Sequence, residues 1–329
     1  MSVDLSLWCA AEGVVAFFVI FGNVLSIIVF VTNPRLRCMR TSILLINLSV
    51  ADLIVGAVTI PMYMSVIWPG SNFTLHKNFH YYLSFIAIDL LSGFGSVVGL
   101  TIIAIERLYS VQFPQRHRNT TRAVYYGLVA ATWVLAGLQM LLRILHGYSY
   151  ISFTAFFYCM VVSLTVCLCI ICSSYSAVWV RVHFKRPAQR TQTRDHTREM
   201  KLAATLAIIT VLFVLTWMPF HILNIICFFT KSCEGVPPAI VYSFKLLHYS
   251  NSLINPVVYS SRFPEYRRTI RKVLCCRSLG TISPGQSMAN LDGSHINTQG
   301  SPFASPLVIR RNAANTQGVS PTIQINNVT

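Results

Sequence analysis

The sequence predicts an all-α membrane protein, a bundle of seven transmembrane helices followed by a short amphipathic helix. Three observations carry that expectation. Charged residues make up only 11% of the 329 residues and hydrophobic residues 54%, where roughly 25% charge is usual for a soluble domain. Seven stretches are apolar and long enough to cross a bilayer, which takes about 20 residues each. The cations, 26 Lys+Arg against 10 Asp+Glu for a formal charge of +16, gather in alternate connections between those stretches. High apolar content without a short period excludes collagen, a coiled coil and wholesale disorder. Because the cations flank apolar spans and build no folded basic domain, nucleic acid is not an expected partner.

In chain order the spans run approximately over Gly13–Val31, Ile43–Ile67, Tyr81–Ile105, Ala123–Leu142, Ile151–Val180, Leu202–Phe229 and Ala239–Tyr259. Residues 1–11 lack the basic start and cleavage region of a signal peptide, so they read as a short exterior segment before a bundle over 12–260. The first connection carries Arg35, Arg37 and Arg40, and the third carries Arg116, Arg118 and Arg122. The fifth has Arg181, Lys185, Arg186, Arg190, Arg194, Arg198 and Lys201, and six more cations fall within 262–277. The intervening connections have one each: Lys77, Arg143 and Lys231. By the positive-inside rule the N-terminus is outside and the C-terminus cytoplasmic; the plasma membrane is the expected location. Asn72, in Asn72-Phe73-Thr74, is then an exterior glycosylation site, whereas Asn119 in Asn119-Thr120-Thr121 is interior and bare.

Residues 261–277 contain a basic amphipathic stretch, Phe263–Leu274, read as a helix lying on the inner membrane face. Cys275 and Cys276 directly after it suit S-palmitoylation. Residues 278–329, rich in Ser, Asn, Gly, Thr and Pro, read as a disordered tail. Cys227 and Cys233, at the outer end of the sixth span, are placed for a small disulfide in the oxidising exterior or for two free thiols.

Ionisable groups inside a span are costly and point to function. Four acids lie within or at the ends of spans: Glu12, Asp52, Asp89 and Glu106. Asp52 with Ser96, Asn251 and Asn255 offers oxygens for a sodium ion, the alternative being a neutral hydrogen-bond network. Glu106-Arg107 reads either as a self-satisfied pair or as an ionic latch that a partner can open by competing for Arg107. Pro219 in Trp217-Met218-Pro219-Phe220-His221 and Pro256 in Asn255-Pro256-Val257-Val258-Tyr259 remove backbone bonds from the sixth and seventh spans, as expected of helices built to move.

Together these residues resemble the rhodopsin-like (class A) G-protein-coupled receptors over nearly all of 12–276. The resemblance rests on Gly22-Asn23-Val24, Leu48-Ser49-Val50-Ala51-Asp52-Leu53, Glu106-Arg107, Trp133, Tyr175, Trp217-x-Pro219 and Asn255-Pro256-x-x-Tyr259, in order on successive spans. It implies a receptor without enzyme activity or cofactor, apart from an allosteric sodium ion. It also implies a small-molecule agonist pocket opening outward and a heterotrimeric G-protein cleft opening inward, lined by Arg107, Tyr175 and Tyr259. Arrestin, receptor kinases and membrane lipids are further implied partners.

Within that class, Trp217-Met218-Pro219-Phe220-His221-Ile222-Leu223-Asn224 looks like the adenosine receptors, whose matching His and Asn contact the nucleoside. Glu12, eleven residues before Asn23, matches an acid of the same receptors. Asn224 offers a donor and an acceptor side by side, as an adenine edge requires. Asp89 and Tyr249 instead resemble the ammonium-binding acid and its tyrosine partner in biogenic amine receptors, so an amine is the competing expectation. The expected pocket is Asp89, Trp217, Phe220, His221, Asn224 and Tyr249, with Glu12 nearby. Tyr82 stands where the class has a disulfide cysteine and Cys167 where it has a proline, similar to melanocortin, cannabinoid and lysophospholipid receptors. A lipid or peptide ligand therefore stays open. Outside the receptor class, an opsin needs a lysine where Tyr249 stands, and a transporter would more often show internal repeats. A hydrolase needs a nucleophile–base pair that the sequence does not offer.

Overall fold

The computed structural model describes residues 5–184, 194–231, 235–262 and 264–274, and within them the chain is all-helical. Seven long helices form the bundle: α1 Leu5–Thr32, α2 Thr41–Ile67, α3 Phe79–Gln112, α4 Arg122–Gly147, α5 Phe153–Phe184, α6 Arg194–Thr230 and α7 Pro238–Arg262. A final helix, α8, spans Pro264–Leu274. The first six are each long and apolar enough to cross a membrane. The polarity of α7 faces inward, on Lys245, His248, Asn251, Ser252 and Asn255, all buried. The tail from 278, Cys275 and Cys276 lie outside the described residues, as does Cys233. Cys227 is itself disulfide-bonded.

Helix ends follow local chemistry. Between α1 and α2, Pro34 opens a four-residue helix whose Asn33 cap accepts from the amides of Arg35 and Leu36. Asn78 caps α3 by accepting from the Tyr81 amide at 3.0 Å. Between α2 and α3, Gly70 takes φ 75°, which suits a residue without Cβ. Inside α2 the backbone widens into a π-turn at Val55–Thr59. Pro61 supplies the cause: it brings no amide hydrogen, and its ring presses on the carbonyl one turn back.

Buried polar contacts tie the helices at the positions that carry the resemblance. Asn23 in α1 donates to the Val19 carbonyl and to the Ser252 carbonyl of α7, at 2.9 and 3.0 Å. Trp133 in α4 donates to Asn47 in α2 at 2.8 Å. Where α1 crosses α7, a Cβ on Gly22 would sit 3.0 Å from the Pro256 ring. Pro219 and Pro256 lie inside continuous helices.

The amphipathic helix is pinned to the bundle rather than merely resting beside it. Tyr266 shares a 2.6 Å hydrogen bond with Ser26, Asn33 donates to Thr269 at 2.7 Å, and Arg35 pairs with Glu265 at 2.8 Å. Burial pushes the Tyr266 phenol up to about 12, so this bond is made by a neutral hydroxyl. Arg267, Arg268 and Arg271 stay exposed on the opposite face.

Candidate functional site

At the end of the bundle where α1, α3, α5 and α7 begin, a cavity of about 1080 Å³ opens among α2 to α7. It lies at the upper end of the roughly 300–1,000 Å³ usual for small-ligand sites. Aromatic rings make most of its wall, with Phe156 and Phe157 from α5 and Phe220 and Phe228 from α6. Trp217 forms the floor, with the His221 ring 3.9 Å and the His248 ring 5.1 Å from it. His221 and His248 are both buried, and among the described residues His221 Nε2 and His248 Nδ1 have no hydrogen-bond partner. Asn224, one turn along α6 from His221, also lines the cavity.

Asp89, Trp217, Phe220, His221 and Asn224 all line this cavity. Two expected residues are not on it. Tyr249 is fully buried beneath the cavity, where it lines a much smaller polar pocket. Glu12 is 1% exposed, and its Oε2 has no hydrogen-bond partner among the described residues. Both face the helix interfaces instead of the open volume.

The largest departure concerns Asp89. Its carboxylate is not a vacant receptor for an ammonium ion, because Lys245 of α7 donates to it at 2.7 Å. The Lys245 ammonium also lies 4.6 Å from the Phe220 ring centre and 4.5 Å from that of Tyr249, close enough for cation–π attraction. The chain thus supplies internally the cation that an amine ligand was expected to bring. Ser163 in α5 donates to the Cys159 carbonyl and accepts from Gln139 of α4, both at 2.7 Å.

Not foreseen from sequence are Lys245, His248 and Arg143 as cavity residues. The signal for Lys245 was present: a cation inside a span needs a buried partner, and it stands one turn before Tyr249. Arg143 was placed in a connection because the apolar run ends at Leu142, yet α4 continues to Gly147.

Below the floor, Asp52 accepts from Ser96 at 3.2 Å and from Asn255 at 2.7 Å. Asn251 turns elsewhere, accepting from Thr216 at 3.2 Å. The small pocket beside Ser96, Asn251 and Ser252 has about 10 Å³, close to the ~10–15 Å³ that one water needs.

At the opposite end, Arg107 donates to Glu106 through Nε and Nη2 and to Thr41 through Nη2. Glu106 also accepts from Tyr125 at 3.0 Å and meets His117 at 2.9 Å. The pair is therefore held by α2, α4 and the short helix Pro114–Asn119, and is more than two neighbours satisfying each other. Tyr259 is fully buried in an apolar cluster with Phe30 and Tyr266, and Tyr175 packs against the same cluster.

A seven-helix membrane bundle with a wide cavity at one end and a buried acid–arginine cluster at the other has the architecture of a transmembrane receptor. A family model described as 7 transmembrane receptor (rhodopsin family) matches residues 22–259, and the chain belongs to that family of G-protein-coupled receptors. Among curated relatives it is similar to adenosine receptor A2b of Gallus gallus, 26% identical over 301 residues that cover 80% of this chain and 86% of the relative. Adenosine receptor A2a of Homo sapiens is 27% identical, covering 82% of this chain and 72% of that one. Adenosine receptor A3 of Bos taurus is 24% identical, covering 85% and 93%.

Proposed function

We propose that this receptor binds a nucleoside-type agonist in the cavity between α2 and α7 and activates heterotrimeric G proteins from the Glu106–Arg107 end. The observation that carries the ligand reading is the unspent polar capacity of the inner wall. His221, His248 and Asn224 line the cavity together, and His221 Nε2 and His248 Nδ1 have no hydrogen-bond partner among the described residues. A ligand rich in hydroxyls and ring nitrogens can pair with side chains of this kind, each of which offers hydrogen-bond donors or acceptors. The acid that argued for an amine is already neutralised by Lys245. The names of the relatives point the same way.

Asn224→Ala removes a paired donor and acceptor, so adenosine affinity should fall by about 1–3 kcal/mol, roughly 5- to 150-fold. Radioligand competition on membranes checks this. Unchanged affinity at Asn224→Ala would remove the basis of the nucleoside reading.

In this reading the cavity faces outside, and opening of the other end bares Arg107, Tyr175 and Tyr259, of which Arg107 and Tyr259 are buried here, to a cytoplasmic docking cleft shared with arrestin and receptor kinases. Asn72 is exposed at the cavity end and Asn119 is exposed at the other. A glycosidase-sensitive mass shift should vanish in Asn72→Gln and persist in Asn119→Gln. The reverse pattern would invert the topology.

Asp52, Ser96, Asn251 and Asn255 are the side chains offered to a sodium ion that favours the inactive state; here Asn255 donates to Asp52 and the Asn251 oxygen accepts from Thr216, so the ion has to displace or share those bonds. Raising sodium should lower agonist affinity in the wild type and leave Asp52→Asn nearly unaffected, because an ion shifts the balance only by its differential affinity. Equal sodium responses in both would reject the site.

A further inference from the structure

We propose that the mouth of the cavity is a subsite for an anionic ligand group, a carboxylate or phosphate, held by the guanidinium of Arg143. This deepens the nucleoside reading by adding charge to the ligand, and it rests on a different part of the wall. The described residues that line the cavity include three cations, Arg143, Lys231 and Lys245, and a single acid, Asp89. Asp89 is taken by Lys245 at the deep end, where side-chain exposures are only 18% and 6%. The remaining cations are therefore not balanced by any acid on the described wall.

Arg143 is the one built into a helix. It lies in α4, four residues before the end at Gly147, and its guanidinium carbon stands 5.9 Å from the Phe156 ring centre. The ring orients the guanidinium, and no carboxylate forms an ion pair with it among the described residues. An arginine near a helix end commonly reaches out to lipid headgroups, but this one turns to the cavity wall. Tyr82 on the same wall precedes Asp89 by seven residues of α3, about 10 Å along the axis. Arg143 stands against Phe156, three residues from the start of α5 at Phe153, whereas Asp89 lies ten residues into α3, so the guanidinium is nearer the mouth than the Asp89–Lys245 pair. The cavity is thus graded, with a charge-balanced polar floor, an aromatic waist and a cationic mouth. Guanidinium is well suited to carboxylate and phosphate because its planar fork donates two parallel bonds.

Matched pairs differing in charge test this on purified full-length receptor in lipid nanodiscs: adenosine against adenosine monophosphate, and naphthylacetamide against naphthylacetic acid. In at least one pair the anion should bind about tenfold tighter or more. That preference should collapse in Arg143→Gln and return in part in Arg143→Lys, which keeps charge without the fork. Thermal unfolding of each variant separates lost binding from lost fold. Equal affinities within both pairs, no binding of either anion, or a preference that survives Arg143→Gln in folded protein would overturn the subsite. Adenosine that binds, with no gain for either anion, would leave the nucleoside reading standing and remove this one. A naphthylacetic acid that outbinds its amide while neither adenosine compound binds would keep the anionic subsite and remove the nucleoside.

Discussion

Substituting Asp89→Asn should destabilise the receptor by about 3 kcal/mol, because it strands the Lys245 ammonium in a largely dry wall. Breaking one side of a buried ion pair typically costs about 3–5 kcal/mol, most of it the uncompensated charge left behind. The lower end applies, since the Asp89 side chain keeps 18% exposure to the cavity while Lys245 has 6%. Phe220 and Tyr249 retain cation–π contact with the ammonium in the variant, which offsets about 1 kcal/mol. Lys245→Met should cost a similar amount by stranding Asp89. The double substitution should cost no more than either single, about 3 kcal/mol where independent sites would give roughly 6, a coupling energy of about 3 kcal/mol at the upper end of the range for contacting residues. Unfolding midpoints for the four proteins in detergent measure this. Additive single effects would show that the 2.7 Å contact has no energetic weight, and would reopen Asp89 to an external amine.

The second large effect is expected at Glu106. Glu106→Gln keeps the shape of the side chain but removes the charge that holds Arg107. Hydrogen bonds to charged groups are worth about 1.5–3 kcal/mol, so the equilibrium toward a free Arg107 should move roughly 10- to 150-fold. Basal nucleotide exchange on a reconstituted G protein should rise accordingly, without agonist. Thr41→Val, which removes only the hydroxyl shared by Glu106 and Arg107, should move it in the same direction by less. Basal exchange at the wild-type level in folded Glu106→Gln would mean that the cluster is structural and no latch.

Much of this was readable in the sequence because lipid imposes a one-dimensional rule. Each span must be apolar over its length, so hydropathy located seven helices, and the order of Asn23, Asp52, Arg107, Trp217 and Pro256 gave the class. Helix ends were less legible. Apolar runs stop where the bilayer does, but hydrogen bonding does not, so α1 begins at Leu5 and α4 carries Arg143 inside its last turns. The π-turn at Val55–Thr59 was signalled only by Pro61, and a proline does not announce which repair the backbone will choose. The cavity wall on α6 was legible because Trp217, His221 and Asn224 share one helical face. Lys245 was missed because its meaning lies in a residue 156 positions away, and single-sequence spacing cannot pair α3 with α7. Tyr249 was matched by position to a ligand-facing role, but packing of Tyr63 against its ring at 5.6 Å leaves it beneath the floor.

The most direct measurement of the central reading is agonist-stimulated signalling in transfected cells, by cyclic AMP and calcium, against matched panels of nucleosides and biogenic amines. A nucleoside, or its phosphorylated form, should evoke a response that is lost in Asn224→Ala and in Arg107→Ala at equal surface expression. A response to amines that depends on Asp89, with silence toward every nucleoside, would contradict the account.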